Sequence, residues 1–221
     1  MSAERLAPPS AAAQGDARRY APLPEPLVLH RGGELRGGRI AYETWGHLNA
    51  ARDNAILLFT GLSPSAHAAS SAEDPREGWW EEMIGAGRAI DTDRYFVICV
   101  NSLGSCFGSS GPASDEPATG TRWRLRFPEI SVEDIAQGGR AVLRQLGLDQ
   151  VHTVAGPSLG GMVAVALTAV WTIALLAAAQ AWSCWLSRSK NVCWPFDKTG
   201  HSRTHLSNLY RWFCFHPLAK H

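Results

Sequence analysis

No two of the five cysteines are spaced as a CxxC pair, so neither a zinc site nor a dithiol redox motif is indicated. The N-terminal run Met-Ser-Ala-Glu-Arg-Leu-Ala-Pro-Pro lacks the apolar stretch of a secretory signal peptide, and a reducing cytoplasm is the expected setting. Neither sign of charge dominates. The 21 Lys+Arg and 20 Asp+Glu leave a net charge of +1, which by itself points to neither nucleic acid nor a membrane surface. What is present, 45% hydrophobic and 19% charged residues, is the makeup of a globular chain, and 221 residues fit one domain.

Glycine is almost missing from the last quarter of the chain: 20 of the 21 glycines precede residue 171. Five of the nine tryptophans and three of the five cysteines lie from Trp171 onward, where six Lys/Arg face a single acid, Asp197. That part carries no alternation of strand and helix patterns. Residues 1–25, rich in Ala, Pro and Arg without periodicity, read as a flexible leader.

Between these ends the pattern is regular. Short strands are expected at Leu27–His30 and Arg39–Thr44, with a Gly32-Gly33 turn between them. Three runs are apolar on both faces, as interior parallel strands are: Asn54–Phe59, Tyr95–Val100 and Val151–Ala155. A helix is expected over Val132–Leu146, with apolar Val132, Ile135, Val142, Leu143 and Leu146 on one stripe. Ser131 is its N-cap and Gly147 its stop. Strands alternating with helices make this an α/β protein with a parallel sheet. From Leu159 to Leu186 no charged residue occurs, and Arg188 and Lys190 follow. That is long enough for a membrane-spanning helix of about 20 residues; against it, the run begins directly after Ser158, and Gly160–Leu167 reads as a helix buried under the sheet.

Gly156-Pro157-Ser158-Leu159-Gly160 matches G-x-S-x-G between an apolar strand and an apolar helical run. The spacing has a mechanical reason. The serine must stand on a tight strand-to-helix turn that exposes Oγ, and the glycines let neighbouring backbones approach. The free N–H groups of the helix start favour a developing oxyanion, with the Leu159 N–H as first donor. The second donor should come from the loop after an earlier interior strand, where Thr60-Gly61-Leu62 offers the Leu62 N–H. His67, in the same loop, reads as a histidine held by a backbone bond rather than as a base, because this fold places its base after the serine. His201 and His205 stand at i, i+4 but lack further ligands of matching spacing, so no metal site is expected.

With these residues in place, several segments resemble the homoserine O-acetyltransferase family of α/β-hydrolases, which includes the serine O-succinyltransferases. They are Ile40-Ala41-Tyr42-Glu43-Thr44-Trp45-Gly46, Asn54 through His67, Gly78-Trp79-Trp80 and Gly85 through Cys106. Gly108-Ser109-Ser110-Gly111-Pro112, Phe127-Pro128, Asp134 and Gly156 through Met162 continue the series. The resemblance implies an α/β-hydrolase-type parallel sheet and an O-acyltransferase acting in methionine or cysteine biosynthesis. The acyl group would pass from acyl-coenzyme A, a co-substrate and not a bound cofactor, through an acyl-serine on Ser158. The acceptor would be the hydroxyl of homoserine or serine, with Leu62 and Leu159 as the backbone donors. It also admits a homodimer, and it implies neither a nucleic-acid partner nor a membrane one. Thr60-Gly61-Leu62-Ser63-Pro64-Ser65 departs from the His-Ala-Leu-Thr-Gly pattern usual for acetyl transfer to homoserine and looks more like the serine O-succinyltransferase branch. Acetyl or succinyl, homoserine or serine, therefore stay open.

The resemblance divides the chain into a leader (1–25), the N-terminal part of the acyltransferase domain (26–167) and a tail unrelated to the family (168–221). In the family the triad acid and histidine lie far beyond the serine. None of His201, His205, His216, His221 or Asp197 can be assigned those roles, and a sheet truncated after the nucleophile helix is expected. Two alternatives stand beside the enzyme: a catalytically incomplete fragment of it, and a protein anchored in a membrane through residues 159–186.

Overall fold

The computed structural model describes residues 16–169. Among the described residues, nine strands and two α-helices follow one another, with a 3-10 turn at Arg124–Arg126 before α1: β1 (Arg19–Pro22), β2 (Leu27–Val28), β3 (Glu34–Leu35), β4 (Arg39–Trp45), β5 (Ala55–Phe59), β6 (Ile84–Gly85), β7 (Ile90–Asp91), β8 (Phe96–Val100), α1 (Val132–Gln145), β9 (Thr153–Ala155) and α2 (residues 159–169). The main sheet has the order β1-β4-β8-β5-β9. Its β8, β5 and β9 run parallel, while β4 and β1 add antiparallel ladders on one side. β2 with β3, and β6 with β7, form separate two-stranded pairs.

The interior strands are apolar on both faces because both faces are covered. Leu57, Phe59, Ile98 and Val100 point into the core beneath α1, together with Val163 and Leu167 of α2. Leu58, Val97 and Cys99 point the other way, into a second cluster with Trp45, Ile84, Ala68 and Ala69. Two glycines let α1 lie close to the sheet. A Cβ on Gly139 would fall 2.4 Å from the Phe59 ring, and one on Gly138 would fall 2.9 Å from Ile40. The start of α1 is fixed by Asp134, fully buried, whose carboxylate accepts the Ser131 N–H at 2.8 Å, the Ser131 hydroxyl at 3.0 Å and the His30 N–H at 2.8 Å. Its end turns at Gly147, φ 64°.

One expectation needs correcting. Part of the 1–25 leader is ordered: Arg19–Pro22 pairs with Arg39–Tyr42 as the outer strand β1. Its face toward the core holds only Ala21, followed by Leu23, both buried, and so few apolar residues leave no readable alternation. Residues 1–15 lie outside the described region, as do Asp197 and the tail histidines. No helix among the described residues is long and apolar enough to cross a membrane, and most of the 159–186 run lies outside them.

The close approach of α1 gives a stability prediction. Gly139→Val should lower the unfolding free energy by about 1–3 kcal/mol, because the added carbons must displace the Phe59 ring in a packed core. Urea titration measures it, and an unchanged midpoint would place α1 farther from the sheet than described.

Candidate active site

Ser158 sits on the turn between β9 and α2 with φ 52°, exposed to solvent. That left-handed conformation crowds a Cβ against the following carbonyl and costs about 1–2 kcal/mol. The surroundings enforce it. A Cβ on Gly160 would lie 2.3 Å from the Phe59 carbonyl oxygen and 2.8 Å from that of Thr60. One on Gly156 would lie 2.5 Å from the carbonyl carbon of Gly160. Both glycines of the motif are thus required by space, one by the end of β5 and the other by the turn itself. The Gly160 N–H then donates to the Pro157 carbonyl at 2.9 Å and that of Gly161 to Ser158 at 3.0 Å, starting the helix. Leu159, in its first turn, has no intrahelical acceptor for its N–H.

The loop after β5 lies against this turn. A Cβ on Gly61 would be 3.8 Å from the Pro157 carbonyl oxygen. The loop is held from below by the Thr60 hydroxyl, 3.3 Å from that of Ser102, and by fully buried Asn101, whose Nδ2 donates to the Pro64 carbonyl at 3.2 Å. The Leu62 side chain is 80% exposed, so the loop is placed through its backbone. Neither Leu62 nor Leu159 gives its N–H to a protein acceptor among the described residues. Since β5 and β9 are parallel neighbours, their C-terminal ends bring Ser158, Leu159 and Leu62 to one edge of the sheet, where α/β folds bind ligands.

Farther along the same excursion is a group of buried charges. His67 Nδ1 lies 2.8 Å from the Glu43 carboxylate and 3.6 Å from Asp74, and Nε2 lies 2.9 Å from the Arg76 carbonyl oxygen. Arg76 pairs with Asp74 in turn. Burial alone would depress the His67 pKa, but Glu43, the Arg76 carbonyl and the Asp74 charge outweigh it and raise it above the ordinary histidine value. With a partner oxygen at each ring nitrogen, His67 is placed as a strut between Glu43 and the Arg76 carbonyl. The backbone-bound reading of this residue fits the Arg76 contact, while Glu43 and Asp74 were not foreseen as its partners. A signal for Glu43 exists. In Ile40-Ala41-Tyr42-Glu43-Thr44-Trp45 the period-2 alternation puts it on the same face as Ala41 and Trp45, and all three are buried.

Glu81 ties off the excursion. Its carboxylate accepts the Ser70 N–H at 2.6 Å, the Ser70 hydroxyl at 2.8 Å and the Gly78 N–H at 3.0 Å. Beside it opens a hollow of about 420 Å³ lined by Ser63, Ser65, His67, Glu77, Trp79 and Phe107. The remaining described histidines stand elsewhere. His30 faces Glu133 at 3.8 Å, and His152 packs on Tyr95 at the opposite end of β9 from Ser158. His47 precedes β5, with its carbonyl accepting from Asn54 Nδ2 at 3.0 Å. No histidine among the described residues is hydrogen-bonded to Ser158.

Residues 54–174, which include this strand–serine–helix turn, match the family model for the α/β-hydrolase fold. The chain belongs to the α/β-hydrolase family. Within it, the chain is 64% identical over 156 residues to the serine O-succinyltransferase of Litchfieldella anticariensis, covering 71% of this chain and 42% of that one. It is 58% identical over 153 residues to the L-serine/homoserine O-acetyltransferase of Streptomyces lavendulae, covering 69% and 41%. The crystal structure of homoserine O-acetyltransferase from Bacillus anthracis superposes with a TM-score of 0.61 at 34% identity, over 67% of this chain and 42% of that one. The chain therefore spans about two fifths of the length of these α/β-hydrolase relatives.

Glu81 gives a pH prediction. The N–H groups of Gly78 and Ser70, with the Ser70 hydroxyl and Arg88, hold its carboxyl at about 2 against an ordinary 4.5. A folded value below the unfolded one means that its stabilisation is complete above about pH 5 and drains away as pH falls toward 2. Glu81→Gln should therefore be less stable than the parent at pH 7, with the gap closing between about pH 5 and pH 2. A gap that stays constant over that range, measured by thermal unfolding, would contradict the hydrogen bonding described.

Proposed function

We propose that this chain carries the nucleophile half of an acyl-coenzyme A-dependent O-acyltransferase, with Ser158 as the acyl carrier. The observation that carries the reading is Ser158 at φ 52°, clamped between Gly156 and Gly160 at the end of β5. A base removes the proton from Oγ as it attacks the thioester carbonyl. The oxyanion draws on the N–H groups of Leu62 and Leu159, the C–S bond breaks, and coenzyme A leaves as the thiol after taking up the proton. The hydroxyl of an amino-acid acceptor then attacks the acyl-serine, releasing the O-acyl product and restoring Ser158. Serine appears in the names of both curated relatives and is the first acceptor to test, ahead of homoserine.

A second reading follows from a specific observation. Among the described residues no histidine reaches Ser158, and a serine hydroxyl without a positioned base and its orienting acid is a poor nucleophile. We infer that acid and base come from outside residues 16–169, and that the 221 residues alone turn over little. Two measurements separate these readings. Acyl-coenzyme A consumption with serine and homoserine, using acetyl and succinyl donors, should be at background for this chain and for Ser158→Ala alike. Fused to the remaining C-terminal part of a serine O-succinyltransferase relative, residues 16–169 should give turnover on the order of 10 per second. Ser158→Ala should then remove several powers of ten. A chimera that folds and shows no Ser158-dependent turnover would refute the acyltransferase reading. Turnover by the chain alone would refute the second reading.

A further inference from the structure

Residues 61–66, which follow β5 and carry Leu62 near their start, make no backbone–backbone hydrogen bond among the described residues. Packing holds little of this segment either. Leu62 and Ser63 are exposed, Pro64 and Ser65 are half-buried, and only Gly61 and Ala66 are buried. An amide that serves a developing oxyanion must nevertheless be in place beforehand, because a donor that reorganises during the reaction gives its stabilisation back. Two side chains supply the hold that the backbone lacks. Asn101 Nδ2 donates to the Pro64 carbonyl at 3.2 Å, and Trp79 Nε1 donates to the Ser65 carbonyl at 3.0 Å. They grip consecutive carbonyls from two parts of the chain, one just after β8 and the other before β6.

Both donors are themselves fixed. Asn101 gives its backbone N–H to the Ala41 carbonyl at 2.9 Å, and its own carbonyl accepts the Ser109 hydroxyl at 2.9 Å. Trp79 gives its backbone N–H to the His67 carbonyl at 3.3 Å, Trp80 gives its N–H to that of Ala68 at 2.8 Å, and the two indoles stack with centroids 5.3 Å apart. Gly78 permits this approach, since a Cβ there would lie 2.2 Å from the Ala68 carbonyl carbon.

The Asn101 amide is not explained by the core around it. The residue is fully buried, and its Oδ1 has no hydrogen-bond partner among the described residues. A buried orphan acceptor is destabilising, and an apolar side chain would avoid that penalty. What the amide contributes is the bond to Pro64. Holding the segment by its carbonyls, and from side chains, leaves the Leu62 N–H unspent.

We propose that Asn101 and Trp79 are positioning residues that keep the Leu62 N–H in place as an oxyanion donor. That role rests on the acyl-serine reading above and adds the two side chains on which its second donor depends. Both act through the carbonyls of Pro64 and Ser65.

The test uses the whole chain phosphonylated on Ser158 by a methylphosphonofluoridate, a reaction in which Oγ displaces fluoride and its proton leaves to solvent. The phosphorus NMR resonance of the adduct responds to hydrogen bonds at the phosphoryl oxygen, and in the parent it should lie away from its position in urea. Asn101→Leu and Trp79→Phe, which each remove one donor, should move it toward the urea position. Trp45→Phe removes an indole N–H bond of the same kind, to the Ala69 and Ser70 carbonyls, and should leave the resonance where it is. The Leu62 amide signal of the unlabelled chain is a second measurement: sharp and unmoved in Trp45→Phe, shifted or broadened in Asn101→Leu and Trp79→Phe. Should Ser158 take no phosphonate, that signal decides, and should Asn101→Leu fail to fold, Trp79→Phe decides. Resonance and amide signal unchanged in both variants would overturn the assignment and leave Leu62 as donor. An equal move in Trp45→Phe would make the effect one of general loosening and overturn the assignment as well. A parent adduct with one resonance position, folded or in urea, would overturn the oxyanion reading itself.

Discussion

The carbonyl oxygens of Phe59 and Thr60 occupy the space where residue 160 would carry a Cβ, and much of the site's geometry follows from that contact. It sets α2 directly against the end of β5. With β9 paired beside β5 through Leu57 and Leu58, the chain has only a few residues in which to turn from strand to helix. Ser158 therefore takes the left-handed conformation, and its strain is offset by the packing of Val163 and Leu167 beneath the sheet. The same contact brings the loop after β5 against the turn, so one constraint positions the serine, the start of its helix and the Leu62 backbone together.

The excursion from Thr60 to Ile84 keeps that loop rigid by burying charge. Glu43 and Asp74 are almost wholly removed from solvent, and a buried carboxylate is tolerated only when paired and hydrogen-bonded. His67 lies beside both acids, Arg76 pairs with Asp74, and Glu81 spends its oxygens on the N–H groups of Ser70 and Gly78. Trp45 and Trp79 add indole N–H bonds to the carbonyls of Ala69 and Ser65. Breaking one member would strand a charge in the interior. Such a network serves better as a frame than as proton-transfer machinery, because each of its groups already has a partner.

The elements that carry their own signal were legible in the sequence. Asn54–Phe59 and Tyr95–Val100 show apolar residues on both faces, and the structure places strands at Ala55–Phe59 and Phe96–Val100. The α1 stripe, its Ser131 start and its Gly147 stop depend on local chemistry, and the helix runs Val132–Gln145. The serine turn was legible because G-x-S-x-G stands between a strand and a helix. The features that escaped depend on partners distant in sequence. β1 is an outer strand with a single buried residue, Ala21, and its pairing with β4 is visible only once the chain has folded. Glu43 and His67 are 24 residues apart, and nothing local says that the loop after β5 folds back over β4. The orphan-free arrangement of Asp134, which also holds the His30 N–H, is of the same kind.

The central claim is that the turn at Ser158 and the loop at Leu62 form one anion-stabilising site. A crystal structure of the chain carrying a phosphonate adduct on Ser158 Oγ tests it most directly. The account predicts Ser158 with positive φ and one phosphonate oxygen about 2.7–3.1 Å from the N atoms of both Leu62 and Leu159. An adduct oxygen facing solvent, with the two amides on opposite faces of the sheet, would contradict it.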